Sequence, residues 1–128
     1  MNRDVLVLDD CSQFRFVLTE ALMTKGYNVV PAASAEEALD ILSKRGINVM
    51  FLDLNLPGIS GVDLCRQVRE TNPIAWLAAV TGQTSLFQLA DCREAGFDDY
   101  FPKPVTLELL LKAAEAAFNR LERWGRPC

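Results

Sequence analysis

The chain has 128 residues, half of them hydrophobic, and this predicts one domain with one ordinary core and no second output domain. Its formal net charge is -4, with Arg66, Arg69, Arg93, Arg120, Arg123 and Arg126 scattered among acids, so it carries no electrostatic footprint for nucleic acid. Histidine is absent, which excludes imidazole bases, His metal ligands, Ser-His or Cys-His catalysis and any phosphohistidine donor role.

Short β-like runs alternate with amphipathic helical segments, which predicts an α/β domain built on a mainly parallel sheet. The first run, Val5 to Leu8, ends at Asp9-Asp10; it is nearly all apolar, as a central strand covered on both faces should be. It is also the longest early apolar stretch, far short of a signal sequence or a membrane span, so a cytoplasmic location is expected, free or tethered through parts outside this sequence. A helix then places Phe14, Val17, Leu18, Ala21 and Leu22 on one core-facing stripe and closes at Gly26.

The second strand is expected over Tyr27 to Ala32, followed by a helix opened by the capping box Ser34-Ala35-Glu36-Glu37 and closed by Gly46. The third strand, Val49 to Leu54, carries Asp53, and a further helix follows Gly61. The fourth, Ala75 to Val80, runs into Thr81-Gly82, and Ser85-Leu86-Phe87-Gln88 caps the next helix, which stops at Gly96. The fifth, Asp99 to Phe101, is short and polar enough for a sheet edge, and it precedes Lys103-Pro104. On the last helix Leu107, Leu110, Leu111, Ala114, Phe118 and Leu121 form the core stripe. Residues 1–124 are expected to form the domain, and Gly125-Arg126-Pro127-Cys128 a frayed end or the start of a linker.

Right-handed crossovers put the C-terminal ends of parallel strands on one rim, where ligands bind at the reversal of strand order. Asp9-Asp10, Asp53, Thr81-Gly82 and Lys103 all lie at such ends. Carboxylates held close repel unless a cation neutralises them, and Mg²⁺ prefers an octahedron of hard oxygens that includes waters and a phosphate oxygen. Asp10 and Asp53 are therefore expected to bind the ion directly, Asp9 through water, and Asn55 through its backbone carbonyl; Mn²⁺ is the substitute. Asp53 is the proposed nucleophile, becoming an acyl phosphate. Lys103, the Thr81 hydroxyl and the Gly82 N–H would meet the phosphoryl oxygens, and Thr81 moving toward them would let Tyr100 change rotamer.

These elements, in this order, resemble the receiver domain of two-component response regulators, from Arg3 to Arg123. The matching pieces are Val-Leu-Val-Leu-Asp9-Asp10, Phe-Leu-Asp53-Leu-Asn-Leu-Pro57-Gly58, Gly61, Ala-Val-Thr81-Gly82 and Gly96-Phe-Asp-Asp-Tyr100-Phe-Pro-Lys103-Pro104. The resemblance implies a flavodoxin-like (βα)5 fold with strand order 2-1-3-4-5. It also implies Mg²⁺-dependent phosphoryl transfer from a kinase phosphohistidine to Asp53 with later hydrolysis, a Thr81/Tyr100 switch and a cis Lys103-Pro104 bond. The implied partners are a histidine kinase or phosphotransfer protein, and a downstream protein or cis domain on the face of the fourth helix, fifth strand and fifth helix, the chain itself being a monomer or weak dimer. It would catalyse nothing beyond its own phosphorylation and dephosphorylation. Cys11 beside the acids is one small departure from the pattern, and Pro102 before Lys103, whose missing N–H limits pairing on one side of the last strand, is another.

Several other readings bear on these residues. A nucleotide-binding module of similar architecture is disfavoured because Asp9-Asp10-Cys11-Ser12 offers no Gly-rich phosphate nest. An Asp-nucleophile phosphohydrolase would want a second acid near Asp53, where Asn55 stands. A receiver excised from a hybrid kinase or multidomain regulator fits as well as a stand-alone one. Cys11, Cys65, Cys92 and Cys128 form no CxxC pair and are expected to be reduced, with Cys11 as filler, since nearby carboxylates suppress its thiolate. Phe87 and the stripe Leu109, Ala113, Ala116 are candidates for a partner or dimer surface, and Asn55 and Gln83 flank the route of an attacking water.

Overall fold

The computed structural model describes residues 2–82 and 85–125, the side chains at positions 86 and 87 excepted. The expectations on Gln83 and the Phe87 side chain lie outside the described residues. Five strands, β1 (Asp4–Leu8), β2 (Asn28–Ala32), β3 (Val49–Leu52), β4 (Trp76–Thr81) and β5 (Asp99–Pro102), alternate with five helices, α1 (Ser12–Thr24), α2 (Ala35–Lys44), α3 (Gly61–Thr71), α4 (Leu86–Ala95) and α5 (Leu107–Gly125). All strand pairs are parallel and the order is β2-β1-β3-β4-β5, the topology expected from the sequence.

The register makes two cores from one sheet. Val5 pairs with Val49 and Val7 with Phe51, so these odd-numbered side chains share a face with Ala78 and Val80 of β4. Leu18 and Leu22 of α1 and Leu110, Ala114, Phe118 and Leu121 of α5 cover that face, where Tyr27 stacks on Phe118 with ring centroids 5.1 Å apart. Leu6, Leu8, Met50, Leu52 and Leu77 point the other way, under Ala35 and Ala38 of α2 and Leu64, Cys65 and Val68 of α3. Burial on both faces is why β1, β3 and β4 carry continuous apolar runs.

The edge strands differ. Asn28 N–H bonds to Arg3 O and Asp9 N–H to Ala32 O, so even-numbered residues of β2 face β1 and Pro31, which has no N–H, points outward. The next outward N–H, on Ala33, is held by Glu37 Oε2 at 3.2 Å. Glu37 thus caps the strand edge, one residue before the Ser34 N–H that a capping box would engage, while Ser34 Oγ accepts from Glu37 N–H as expected. The polar fifth strand lies on the other edge.

Other expectations need correction. The third strand stops at Leu52, because Asn55 N–H turns back onto Asp53 Oδ1 and bends the chain out of the ladder. Tyr27 precedes β2 and Ala75 precedes β4, where its N–H bonds to Asn72 O. Val17 is exposed, since the core stripe of α1 centres on Leu18 and Leu22. Gly26 and Gly96 take left-handed φ of 88° and 104°, but Gly46 does not: α2 ends at Lys44 with Arg45 already extended. Gly58, with φ 81°, is the third left-handed glycine.

Candidate functional site

Strand order reverses beside β1, whose two neighbours β2 and β3 connect through helices on opposite faces, so the crevice opens at the C-terminal ends of β1 and β3. Asp9, Asp10 and Asp53 meet there, each offering a carboxylate oxygen within 4.8 Å of the others. Asp9 and Asp53 are buried and Asp10 is exposed.

Asp9 is held at every polar atom. Its N–H bonds to Ala32 O at 3.2 Å, and its Oδ1 accepts from Cys11 N–H at 2.9 Å. Its Oδ2 accepts from Lys103 Nζ at 2.8 Å, and its carbonyl accepts from Arg15 Nη1 at 2.6 Å. Such partners offset the cost of burying a carboxyl group that is 1 % exposed. Cys11 itself is exposed at the N-cap of α1, with no side-chain capping bond.

Asp53 is fixed by its N–H on Leu8 O at 2.9 Å and by Asn55 N–H on its Oδ1 at 3.2 Å. Its carboxyl is raised to about 6, first by burial and then by the Asp9 charge and a hydrogen bond with Asp10, against the opposing pull of Asn55 N–H and Lys103. Gly61, the first residue of α3, is what brings the next helix so close. A Cβ there would overlap the Asp53 carbonyl oxygen and the Leu54 Cα. Ser60 caps α3 by accepting from Asp63 N–H at 3.2 Å, and Ser60-Gly-Val-Asp63 is a capping pattern the sequence reading passed over.

Lys103 arrives through the neighbouring proline. In β4–β5 the alternation that begins with Asp98 N–H on Leu77 O would put residue 102's N–H on Thr81 O, but Pro102 has none. Lys103 N–H takes that acceptor at 2.8 Å, the Lys103-Pro104 bond is cis, and Nζ sits 4.3 Å from the Phe14 ring centroid on its way to Asp9. Thr81 is fully buried, and its Oγ1 accepts from Asn55 Nδ2 at 3.1 Å. Gly82 follows on the exposed rim, with open space where a Cβ would stand.

Tyr100 pairs in register with Ala79, two residues from Thr81, and packs half-buried with Leu54, Ala79, Cys92 and Phe97. Burial, with Cys92 adding to it, raises its phenol pKa. Beside it lies a cleft of about 160 Å³ whose lining includes Leu89, Cys92, Arg93 and Asp99. Leu109 is exposed on α5, whereas Ala113 packs against the core beneath.

Asp9, Asp10, Asp53, Asn55, Thr81, Gly82 and Lys103 thus lie at strand ends on one rim, with Lys103 directly on Asp9, whereas Tyr100 sits back along β5 and Gln83 is outside the described residues. Arg15, Ser60 and Phe14 are the members that pattern reading did not assign, because each acts on backbone or on another side chain. The donors fit a hard divalent ion: carboxylate oxygens, no His, and a cluster whose mutual repulsion a cation would relieve.

The family model for the response regulator receiver domain matches residues 5–115. Among characterised proteins, the response regulator MprA of Mycobacterium sp. (strain KMS) is 34 % identical over 116 residues, 91 % of this chain and 50 % of MprA. The chain thus spans about half the length of such relatives. Of solved structures, a CheY-like receiver domain protein from Methanospirillum hungatei JF-1 superposes with a TM-score of 0.93 at 28 % identity, covering 98 % of this chain and all of that one. The BeF3-activated receiver domain of DrrB, a Thermotoga maritima OmpR/PhoB homologue, superposes with a TM-score of 0.86 at 28 % identity, over 93 % of this chain and 99 % of that one. No helix among the described residues is long and apolar enough to cross a membrane.

Proposed function

The chain belongs to the response regulator receiver family, the phosphoacceptor domains of two-component signalling, and on that premise we propose that Asp53 is the residue that takes the phosphoryl group. The observation that carries this is the meeting of Asp9, Asp10 and Asp53 at the point of strand reversal, with Lys103 laid against Asp9. Within residues 1–124, taken as the receiver domain, Asp10, Asp53 and the Asn55 carbonyl would hold Mg²⁺, or Mn²⁺ in its place, and Asp9 would hold it through water. When bound, the ion would neutralise the acids and draw negative charge off the transferred group.

An ionised Asp53 oxygen attacks phosphorus in line as the P–N bond of a donor phosphohistidine breaks, the electron pair leaving with the imidazole nitrogen. Lys103, the Thr81 hydroxyl and Gly82 N–H then meet the phosphoryl oxygens. Lys103 exchanges Asp9 for the new dianion, and Thr81 moves toward it, releasing Tyr100 to a different rotamer. Water later hydrolyses the acyl phosphate. A general phosphohydrolase is disfavoured because the side chain two residues past Asp53 is an amide tied to Thr81, with no proton to give a leaving group.

The donor would be a histidine kinase or phosphotransfer protein, and the receiver of the signal a protein or cis domain on the face of α4, β5 and α5. We assign no enzymatic activity beyond self-phosphorylation and dephosphorylation, and place the domain in the cytoplasm as a monomer or weak dimer. The test is labelling by a small acyl-phosphate donor with Mg²⁺. Wild type should acquire one hydroxylamine-sensitive phosphoryl group and Asp53→Asn none, with both folded; undiminished labelling of Asp53→Asn would falsify the assignment.

A further inference from the structure

We infer that Arg15 is a positioning residue for the divalent ion, acting through the Asp9–Asp10 peptide rather than on ion or phosphoryl group. The inference rests on the metal-site reading above. Asp9 is where the chain leaves β1, and its carbonyl is the first that the sheet no longer pairs. A carbonyl on a buried residue needs a donor, and among the described residues no backbone N–H of a neighbouring strand supplies one. Arg15, one turn into α1, supplies it: Nη1 donates to Asp9 O at 2.6 Å, a short charge-assisted bond.

That bond fixes one peptide plane. Its carbonyl side belongs to Asp9, whose carboxylate is already locked by Cys11 N–H and Lys103, and its N–H side belongs to Asp10. Asp10 is the exposed acid of the three. Holding the peptide before it removes the rotation that would let it turn away from Asp53. Arg15 is itself half-buried and sits on the same helix as Phe14, whose ring supports Lys103. The first turn and a half of α1 therefore positions both sides of the site.

Two effects of Arg15 on a bound cation have opposite signs, and this makes the inference testable. Its charge repels the ion, whereas its hydrogen bond prearranges the ligands; partners that orient metal ligands are typically worth about 10-fold to 100-fold in affinity. If positioning dominates, Arg15→Gln, which loses the charge and the reach, weakens metal binding about tenfold, and Arg15→Lys, which keeps the charge, falls in between. If only charge matters, Arg15→Gln binds more tightly.

The experiment is Mn²⁺ binding to the full chain followed by electron paramagnetic resonance, with amide NMR of the metal-free protein. Weaker Mn²⁺ binding in Arg15→Gln, partial recovery in Arg15→Lys and displaced Asp10 and Cys11 amide signals without metal are expected. A loss of thermal stability alone, with the Mn²⁺ dissociation constant unchanged or tighter, overturns the proposal. Absence of Mn²⁺ binding in wild type overturns the metal-site reading itself, and the proposal with it. A variant that binds poorly but regains wild-type beryllofluoride shifts at saturating Mg²⁺ would mark positioning specifically.

Discussion

Lys103 Nζ lies 2.8 Å from Asp9 Oδ2, so the cation proposed above to meet the phosphoryl oxygens is engaged by buried Asp9 in this structure. The two have different surroundings: the Asp9 side chain is 1 % exposed and that of Lys103 is 24 % exposed. Removing Lys103 leaves a buried charge without its main counterion, which in a wholly buried pair costs about 3–5 kcal/mol. With one partner reaching solvent, Lys103→Met should lose about 2 kcal/mol in the metal-free protein. Mg²⁺ should restore part of it, and the double variant Asp9→Asn/Lys103→Met should restore more. Urea unfolding with and without Mg²⁺ measures this. The same variant should respond less to beryllofluoride while keeping most of its Mg²⁺ affinity, and equal loss of both would contradict the division of labour.

Asp53 sets the pH dependence. Its carboxyl is raised to about 6 in the folded state against 3.8 for the free side chain, so between those values the folded chain binds more protons than the unfolded one. Metal-free stability should therefore fall as pH rises from about 4 to about 6, by on the order of 2 kcal/mol, and level off above. Asp53→Asn should remove that slope and be the more stable protein at pH 7. Mg²⁺, proposed above to be held by the ionised form, should flatten the wild-type slope too. Thermal melts of both proteins across this range decide it; a wild-type stability that climbs from pH 4 to 6 would refute the sign.

The fold was legible because its causes are local and periodic: the apolar runs at Val5–Leu8 and Val49–Leu52 and the helix stripes around Leu18 and Leu110 are what the sheet buries. The rim was legible for a topological reason, since parallel strands deliver every C-terminal end to one side. Three features escaped. Val17 sits on the α1 stripe by period, but 100° of rotation per residue carries it past the width of the contact. Gly46 looked like a left-handed cap, yet Arg45 leaves the helix in an extended conformation. Arg15 acts on a backbone group, Asp9 O, and residue types alone do not reveal backbone partners; the missing N–H of Pro102, by contrast, was legible as a limit on pairing, and Lys103 takes the Thr81 carbonyl it cedes.

Gly61 is where a single methyl group should disturb the site most. It opens α3 against Asp53 O, and its own N–H bonds to Leu54 O at 3.2 Å, so both the approach and the hydrogen bond are backbone features. Gly61→Ala must push α3 or Asp53 outward. Overpacking of this kind costs about 1–3 kcal/mol. Mg²⁺ affinity should drop along with stability, whereas Gly46→Ala, with open space and no left-handed φ, should leave metal binding unchanged. Calorimetry of both variants tests the contrast.

Thr81 ties two loops of the rim together. Its Oγ1 accepts from Asn55 Nδ2, and its carbonyl accepts from Lys103 N–H, so one buried residue contacts both the Asp53 loop and the start of the Lys103 loop. Thr81→Ala removes the hydroxyl that meets Asn55 and leaves the backbone bond to Lys103. Asn55 is exposed and its amide can turn to water, so the loss should be about 1 kcal/mol, enough to change a two-state ratio about fivefold. The variant should still be labelled on Asp53, because the nucleophile and the acids are untouched. Beryllofluoride with Mg²⁺ should then shift Asp53-loop amides as in wild type but fail to shift the Tyr100 ring signals. Ring shifts that persist undiminished would separate Tyr100 from Thr81 and remove the coupling.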